Sequence, residues 1–323
     1  MNFYPLLSII LTLFVLMLCG FACRKLGIIN NASSKGLSKL IISIGQPAMI
    51  IAALANAEYT EQNLTIAWQV TLISFAMHTL LALLAFGICR LLKKNPDQIK
   101  IFEFSLVFGN CGFIGFPILD SIFEETLGPG AGSFMGAFYV ISFHLFLWTW
   151  GIVILARGRE DIRMTPKKAL FNYGTIPCAI GVVLYLIKPL FDVTEKLDFL
   201  GKSLDYLGSL CTPISVLVTG ALLATLPLGK IFTNKRIYLH SAIKLLAIPF
   251  VFCLLAKLCG LSDTYILMVA AMAGVPSAAT ITMLAELYDI DPPYASQTVG
   301  MSSLISTATL PLVMIFANWI CKF

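Results

Sequence analysis

The sequence predicts an all-α polytopic membrane protein of ten transmembrane helices arranged as a 5+5 inverted repeat, and three observations predict it. Of 323 residues, 58% are hydrophobic and 12% are charged, with a mean hydropathy of +0.88. Soluble domains carry about 25% charged residues, and a water-soluble fold of this length cannot hide so much apolar surface. The apolar stretches have the length of roughly 20 residues that a helix needs to cross the hydrocarbon core. They come in ten, and prolines recur at matching places in the first and second five.

The expected spans are 5–23, 37–56, 66–91, 101–125, 132–156, 169–190, 204–226, 237–259, 264–287 and 295–320. The first is expected to be a retained helix and not a cleaved signal peptide. Residues 1–4 (MNFY) lack the positive n-region such a peptide wants, whereas Arg24 and Lys25 follow the apolar run. This favours a retained helix with its N-terminus outside. Both termini are then outside, and the loops after spans 1, 3, 5 and 7 are cytoplasmic. Those loops hold Arg24, Lys25, Lys35 and Lys39; Arg90, Lys93, Lys94 and Lys100; Arg157, Arg159, Arg163, Lys167 and Lys168; and Lys230, Lys235 and Arg236. The opposite loops hold Lys188, Lys196, Lys202 and Lys257. Sixteen against four is a strong positive-inside asymmetry, expected of a multi-pass protein of the cell (plasma) membrane. It accounts for the net charge of +5 without nucleic acid. The nine cysteines form no C-x-x-C pair, lie mostly within or at the ends of apolar spans, and read as small core residues.

Internal halves are visible in the prolines. Span 2 (LSKLIISIGQPAMIIAALA) and span 7 (LDYLGSLCTPISVLVTGAL) place Pro47 and Pro213 near mid-membrane, 166 residues apart. Span 4 contains GFIGFPILD and span 9 contains AMAGVPSAA. Gly115 and Pro117 therefore match Gly274 and Pro276 at a separation of 159. Five helices per half is odd, so the second half enters from the opposite side, as in inverted-topology transporter repeats. The first repeat is expected over 1–156, a cytoplasmic linker over 157–168 (RGREDIRMTPKK), and the second repeat over 169–323.

The chemistry is expected at the two Gly-x-Pro sites. Breaking a helix in a membrane is tolerated only where protein or a water-filled cavity satisfies the freed backbone. Residues 109–117 (GNCGFIGFP) hold three glycines and a proline, which together loosen and interrupt a helix. An interrupted helix 4 is therefore expected, with one half near 101–110 and a second half starting near Pro117. Helix 9 is expected to break around Gly274 and restart near Pro276. Proline suits the first position of a helix. Two such restarts would aim free amides and positive dipole ends at the bilayer centre, where they attract carboxylates. The plainer reading is that Gly and Pro only kink continuous helices; the pairing of the breaks weighs against it.

Around the breaks, Gly112, Gly115, Gly274 and Asn110 are candidate site residues. The Asn110 amide can hold a carboxylate or cap loose backbone. Gln46 and Thr212 adjoin the helix 2 and helix 7 prolines and can line the same cavity. Ser277 and Thr280 open the second half of helix 9, where their hydroxyls can instead bond their own helix. Lys244, within span 8, can balance substrate charge, meet a helix C-terminus or snorkel to the surface. Glu103 can pair with Lys244, accept a proton or face the surface. His144 can hydrogen-bond substrate or titrate near neutral pH, whereas His78 reads as packed and satisfied.

With these motifs in order, namely GNCGFIGFP (109–117), LWTWG (147–151), KLLAIP (244–249) and AGVPSAA (273–279), the chain resembles the auxin efflux carrier family in its bacterial malate- and malonate-permease-like branch. The resemblance covers essentially the whole chain. It implies a sodium–proton antiporter-like or bile-acid transporter-like fold with a scaffold and a crossover domain. Helices 4 and 9 would cross at unwound segments beside the substrate carboxylate. It also implies that Pro117 and Pro276 are the crossover prolines and Asn110 the polar crossover residue, and that Lys244 sits where a basic side chain often occurs. The chain lacks the long central loop of plant members, so their phosphorylation control and auxin itself are not carried over.

The function expected is secondary transport of a small mono- or dicarboxylate such as malate or malonate by alternating access. The expected partners are that anion and the lipid bilayer. A proton or counter-anion is a candidate coupling species, and a homodimer is a candidate assembly; no cofactor or metal is called for. A carboxylate receptor on the same fold is the alternative. An enzyme is not expected, because no H-E-x-x-H, G-x-S-x-G or paired transmembrane aspartates occur, and Cys111 with His144 is a conceivable nucleophile pair that nothing else in the sequence supports. An ATP-driven pump is not expected either, since the Gly-Lys pairs lack the upstream glycine of a P-loop.

Overall fold

The computed structural model describes residues 3–92, 95–159, 171–192, 196–225 and 234–322. Most of the inter-half linker lies outside the described residues, as do Lys93, Lys94, Arg163, Lys167, Lys168 and Lys230. The described chain is helical, and its one β-bridge joins Gly109 to Ser277. The helices are α1 (Phe3–Lys25), α2 (Asn31–Ala55), α3 (Glu61–Leu91), α5 (Ala131–Ala156), α6 (Thr175–Ile187), α7 (Asp198–Leu223), α8 (Lys235–Leu258) and α10 (Pro292–Ile320). Two more come in pieces. α4a (Pro96–Val107) is followed by α4b, which is Cys111–Gly115 running on into Phe116–Leu127; α9a (Asp263–Gly274) is followed by α9b (Thr280–Tyr288). Among the described residues, seven helices are long and apolar enough to cross a membrane alone. α6 is shorter, at 13 residues, and α4 and α9 are interrupted.

Several helices begin earlier than their apolar runs. The first turns of α2, α3 and α4a are polar and α10 opens on two prolines, and side chains just upstream cap all four: Asn30 accepts from the Ser33 amide, Thr60 from Asn63, Asn95 from Asp97 and Asp291 from Tyr294. Such caps satisfy first-turn amides and extend each helix beyond the hydrophobic stretch that announces it.

Among the described residues, wide π-type turns lie within three helices, at Ile41–Gly45, Leu147–Gly151 and Ile243–Ala247, and open α4b at Cys111–Gly115. Three of these are followed two residues later by a proline: Pro47, Pro117 and Pro249. A proline ring inside an α-helix collides with the carbonyl four residues back and leaves it unpaired. Widening the preceding turn re-registers that carbonyl. The prolines in α2 and α4b thus sit in continuing helices.

Large exposed apolar side chains recur at helical spacing on the outer helices, for example Leu7, Leu11, Val15 and Leu18 on α1, and Ile176, Ile180 and Val183 on α6. Patches of that extent are unusual on soluble monomers and natural against lipid. Among the described residues, no large exposed hydrophobic lies on α4 or α9; both are enclosed by protein.

The helices fall into two groups. α1, α2, α6 and α7 pack mainly with one another, as do α3, α4, α5, α8, α9 and α10. In the first group α1 and α7 cross at Gly20 and Gly220, where an added Cβ would lie 2.0 Å from the Leu217 carbonyl oxygen and 1.9 Å from that of Met17. Only glycine permits that approach. Within the first group Asn56 donates to Asp205 at 2.8 Å, and Lys188 donates to the carbonyls of Ala55 and Ala57. In the second, Arg157 grips Glu103 through both guanidinium nitrogens at 2.5 and 2.6 Å, and Arg159 donates to the Tyr288 carbonyl. Gln46 to His144 and Lys35 to Glu286 bridge the two groups. Lys35, Arg157, Arg159 and Arg236 mark one end of the bundle, here termed the basic end.

Candidate functional site

The two breaks lie against each other. Phe108 and Asn110 leave the helical conformation after α4a, and Val275, extended as the residue before a proline tends to be, leaves it after α9a. The Asn110 amide donates to the Pro276 carbonyl at 2.7 Å, and the Ala278 amide donates to the Phe108 carbonyl at 3.0 Å. Backbone that would otherwise be orphaned in an apolar interior is thus paired across the crossing.

Beyond the crossing each chain re-enters a helix. In α4b the amides of Ile114 and Gly115 both donate to the Asn110 carbonyl at 3.2 Å, so those of Cys111, Gly112 and Phe113 precede the first intrahelical acceptor. In α9b the Ile281 and Thr282 amides return to the carbonyls of Ala278 and Ala279. Both restarts open onto one cavity of about 40 Å³. Gly109, Asn110, Cys111, Gly112 and Phe113 form one wall, Ala278, Ala279 and Thr280 another. Ile42 and Gln46 from α2, Phe143, His144, Leu147 and Trp148 from α5, and Tyr173 and Gly174 before α6 complete it. Among the described residues it is lined by no Asp, Glu, Lys or Arg. Two helix N-termini with neutral donors around them make an anion-attracting hollow.

Gln46 Nε2 lies 3.4 Å from His144 Nε2, at the outer limit of a hydrogen bond. The other ring nitrogen of His144 is buried without a partner. It faces Gly174, where an added Cβ would stand 2.1 Å away, so the segment leading into α6 is fitted to this imidazole. Asn172 holds that segment by accepting from the amides of Gly174 and Thr175.

Of the residues expected from sequence, Gln46, Asn110, Gly112, His144 and Thr280 meet at this cavity. The others take different places. Pro117 does not start the second half of helix 4: the helix restarts at Cys111, six residues earlier, because the widened turn accommodates the proline. Pro276 lies in the extended break, and its carbonyl serves the Asn110 amide. Gly115 packs on Met272 and Gly274 on Leu310. Ser277 is fully buried, its hydroxyl donating to the Ser105 carbonyl and its amide to the Ser302 hydroxyl, both at 3.2 Å. Thr212 and Pro117 line a second, larger cavity of about 810 Å³ at the end opposite the basic one, with Glu58, Asp120 and Asp205 also on its wall. Phe113 on the small cavity and Phe116 on the large one stand about one turn apart on α4b, so roughly the thickness of one helical turn parts the two.

Lys244 is not on the cavity wall. It is 1% exposed, and its ammonium donates to the Leu106 carbonyl at 3.2 Å, in the last turn of α4a. Of the alternatives open from sequence, the helix C-terminus is the one realised. Glu103 pairs with Arg157 rather than with Lys244. His78 is buried and packed, and its Nδ1 lies 2.8 Å from the Ser74 carbonyl and 3.0 Å from the Ser142 hydroxyl. Sequence reasoning missed Trp148, Tyr173 and Gly174 as cavity residues, and weighed Cys111 only as a conceivable nucleophile. The aromatic run LWTWG offered a signal for Trp148, whereas nothing local distinguishes Tyr173 and Gly174.

Comparison with known proteins points the same way. The model of a family described as membrane transport protein, which includes the auxin efflux carriers, matches residues 5–164 and again 159–314. An uncharacterized transporter of Methanocaldococcus jannaschii is 25% identical over 321 residues, covering 97% of this chain and 98% of the relative. One from Methanothermobacter thermautotrophicus is 23% identical over 314 residues, covering 94% and 95%. The uncharacterized transporter YfdV of Escherichia coli is 19% identical over 309 residues, again covering 94% and 95%.

Proposed function

Because this chain belongs to the membrane transport protein family, the family of the auxin efflux carriers, we propose that it is a secondary carrier of a small organic anion, a mono- or dicarboxylate such as malate or malonate. The observation that carries this reading is the meeting of two broken helices at one hollow lined by the first residues of both restarts. A carboxylate there is held by amide and side-chain donors together with helix dipoles, without a buried cation in contact. Asn110, Gly112, Gln46, His144 and Thr280 are the contacting residues. Pro117 and Pro276 hold the crossing in shape, and Gly115, Gly274 and Ser277 pack it.

In this reading all ten helices span the membrane as two inverted five-helix repeats, in the sodium–proton antiporter-like or bile-acid transporter-like manner, and each helix group contains corresponding members of both repeats. The basic end faces the cytoplasm and both termini lie outside, in the plasma membrane. The larger cavity is then an outward vestibule, with the Phe113–Phe116 turn closing the site from it. Movement of one group against the other opens the site alternately to each side.

A thermal-shift screen of purified protein against mono- and dicarboxylates, followed by counterflow in proteoliposomes, tests the reading. A stabilising carboxylate that also accelerates uptake of its labelled form from dilute solution is the expected result. A carboxylate that stabilises the protein but never crosses would make it a receptor, and stabilisation by none would remove the anion site.

A further inference from the structure

Lys244 is a buried cation that the cavity does not touch. It lies in the wide turn Ile243–Ala247 of α8, and its hydrogen bond goes to the Leu106 carbonyl. The negative end of the α4a dipole favours a cation there. Among the described residues no carboxylate stands within ion-pair distance of it; Glu103, three residues before Leu106, is occupied by Arg157. An isolated buried charge is costly and, in a membrane helix, is ordinarily retained for function. Gly109 separates it from the cavity: this residue lines the hollow, and a Cβ added to it would lie 3.3 Å from the lysine Nζ. A single backbone segment therefore stands between the ammonium and the place where an anion would rest, and in low dielectric their attraction acts across that thickness.

We propose that Lys244 is the built-in counter-charge of the moving helix group, so that a bound monoanion renders the loaded group electrically neutral while the empty group carries one positive charge through the membrane field. The inference rests on the carrier reading above. Lys244 is tied to α4a, and α8 packs against α9, so the charge travels with the crossing and not with the other group. A monocarboxylate then exchanges without moving charge, a dicarboxylate exchanges as a net negative load, and the return of the empty carrier responds to membrane potential.

The test uses purified full-length protein in proteoliposomes. Charge displacement after a voltage step is recorded without any carboxylate and then with saturating lactate. Counterflow of labelled lactate and labelled malonate is measured on the same preparation. Wild type and Lys244→Arg are expected to displace up to about one elementary charge per protein when empty, and lactate is expected to abolish it. Lys244→Met is expected to lose the empty-state displacement. Equal displacement in Lys244→Met and wild type, or none in a wild type that exchanges either acid, overturns the proposal while leaving the carrier reading intact. If Lys244→Met does not fold, the wild type still decides: empty-state displacement that lactate leaves unchanged also overturns it. A wild type that exchanges neither acid and displaces no charge removes both readings.

Discussion

The breaks in α4 and α9 carry the same Gly-x-Pro signature and are built differently. In α4 the non-helical stretch is short, 108–110, and the chain re-enters a helix through a widened turn before it reaches Pro117. In α9 the stretch is longer, 275–279, and Pro276 lies inside it. One proline therefore tolerates a helix, and the other prevents one. A shared motif marks where backbone regularity is lost; the partner across the crossing decides how it is regained.

That contrast can be broken by experiment, and the largest effect is expected at Asn110. Replacing it with Ala removes a side-chain donor from the cavity while leaving its backbone bond to Pro276. A hydrogen bond to a charged group contributes about 1.5–3 kcal/mol, so uptake efficiency should fall about 10–100-fold with membrane insertion unchanged. The prolines should then separate. Pro276→Ala places a new amide in a buried extended segment, at a cost of about 1–3 kcal/mol if unpaired, and should lower the melting temperature as well as uptake. Pro117→Ala lets the preceding turn relax toward an ordinary helix, shifting the Cys111–Phe113 amides. Uptake should fall several-fold while the melting temperature holds. Equal melting shifts in the two variants would erase the distinction drawn between the breaks.

Smaller effects sharpen the comparison. Thr280→Val, on the α9b side of the cavity, should raise the substrate concentration for half-maximal uptake by about 2–10-fold, the scale of one neutral hydrogen bond. Thr212→Val, in the larger cavity, should leave it within about 2-fold, because Thr212 is absent from the wall of the crossing cavity. A larger effect at Thr212 than at Thr280 would move the site into the outer cavity. Smallest of all, Lys35→Ala loosens an exposed pair with Glu286 that bridges the two helix groups at the basic end. Such pairs contribute about 0–1 kcal/mol, so at most a modest change in turnover is expected, larger at low ionic strength.

The all-helical, membrane-spanning character could be read in advance, since long apolar runs with few charges are local features. The position of both breaks was equally legible, because glycine and proline act on their own neighbourhood. Where α4 restarts was not. The rule that proline opens a helix pointed to Pro117, but the hydrogen bonds between Asn110 and Pro276, and between Phe108 and Ala278, fix the end of the break from far along the chain. The same holds for Lys244, whose partner is the Leu106 carbonyl on another helix. It holds too for Tyr173 and Gly174, which reach the cavity only because α6 begins beside His144. Local chemistry announces interruptions; long-range pairing assigns each residue its place around them.

The account stands most directly on where a carboxylate rests. A structure determined with saturating bromomalonate, whose bromine is located by anomalous scattering, answers that question. Bromine beside the opposed helix starts, within reach of Gly112 and Thr280, is the predicted result. Bromine among Glu58, Asp120 and Asp205 in the larger cavity, or an empty crossing at full saturation, would contradict it.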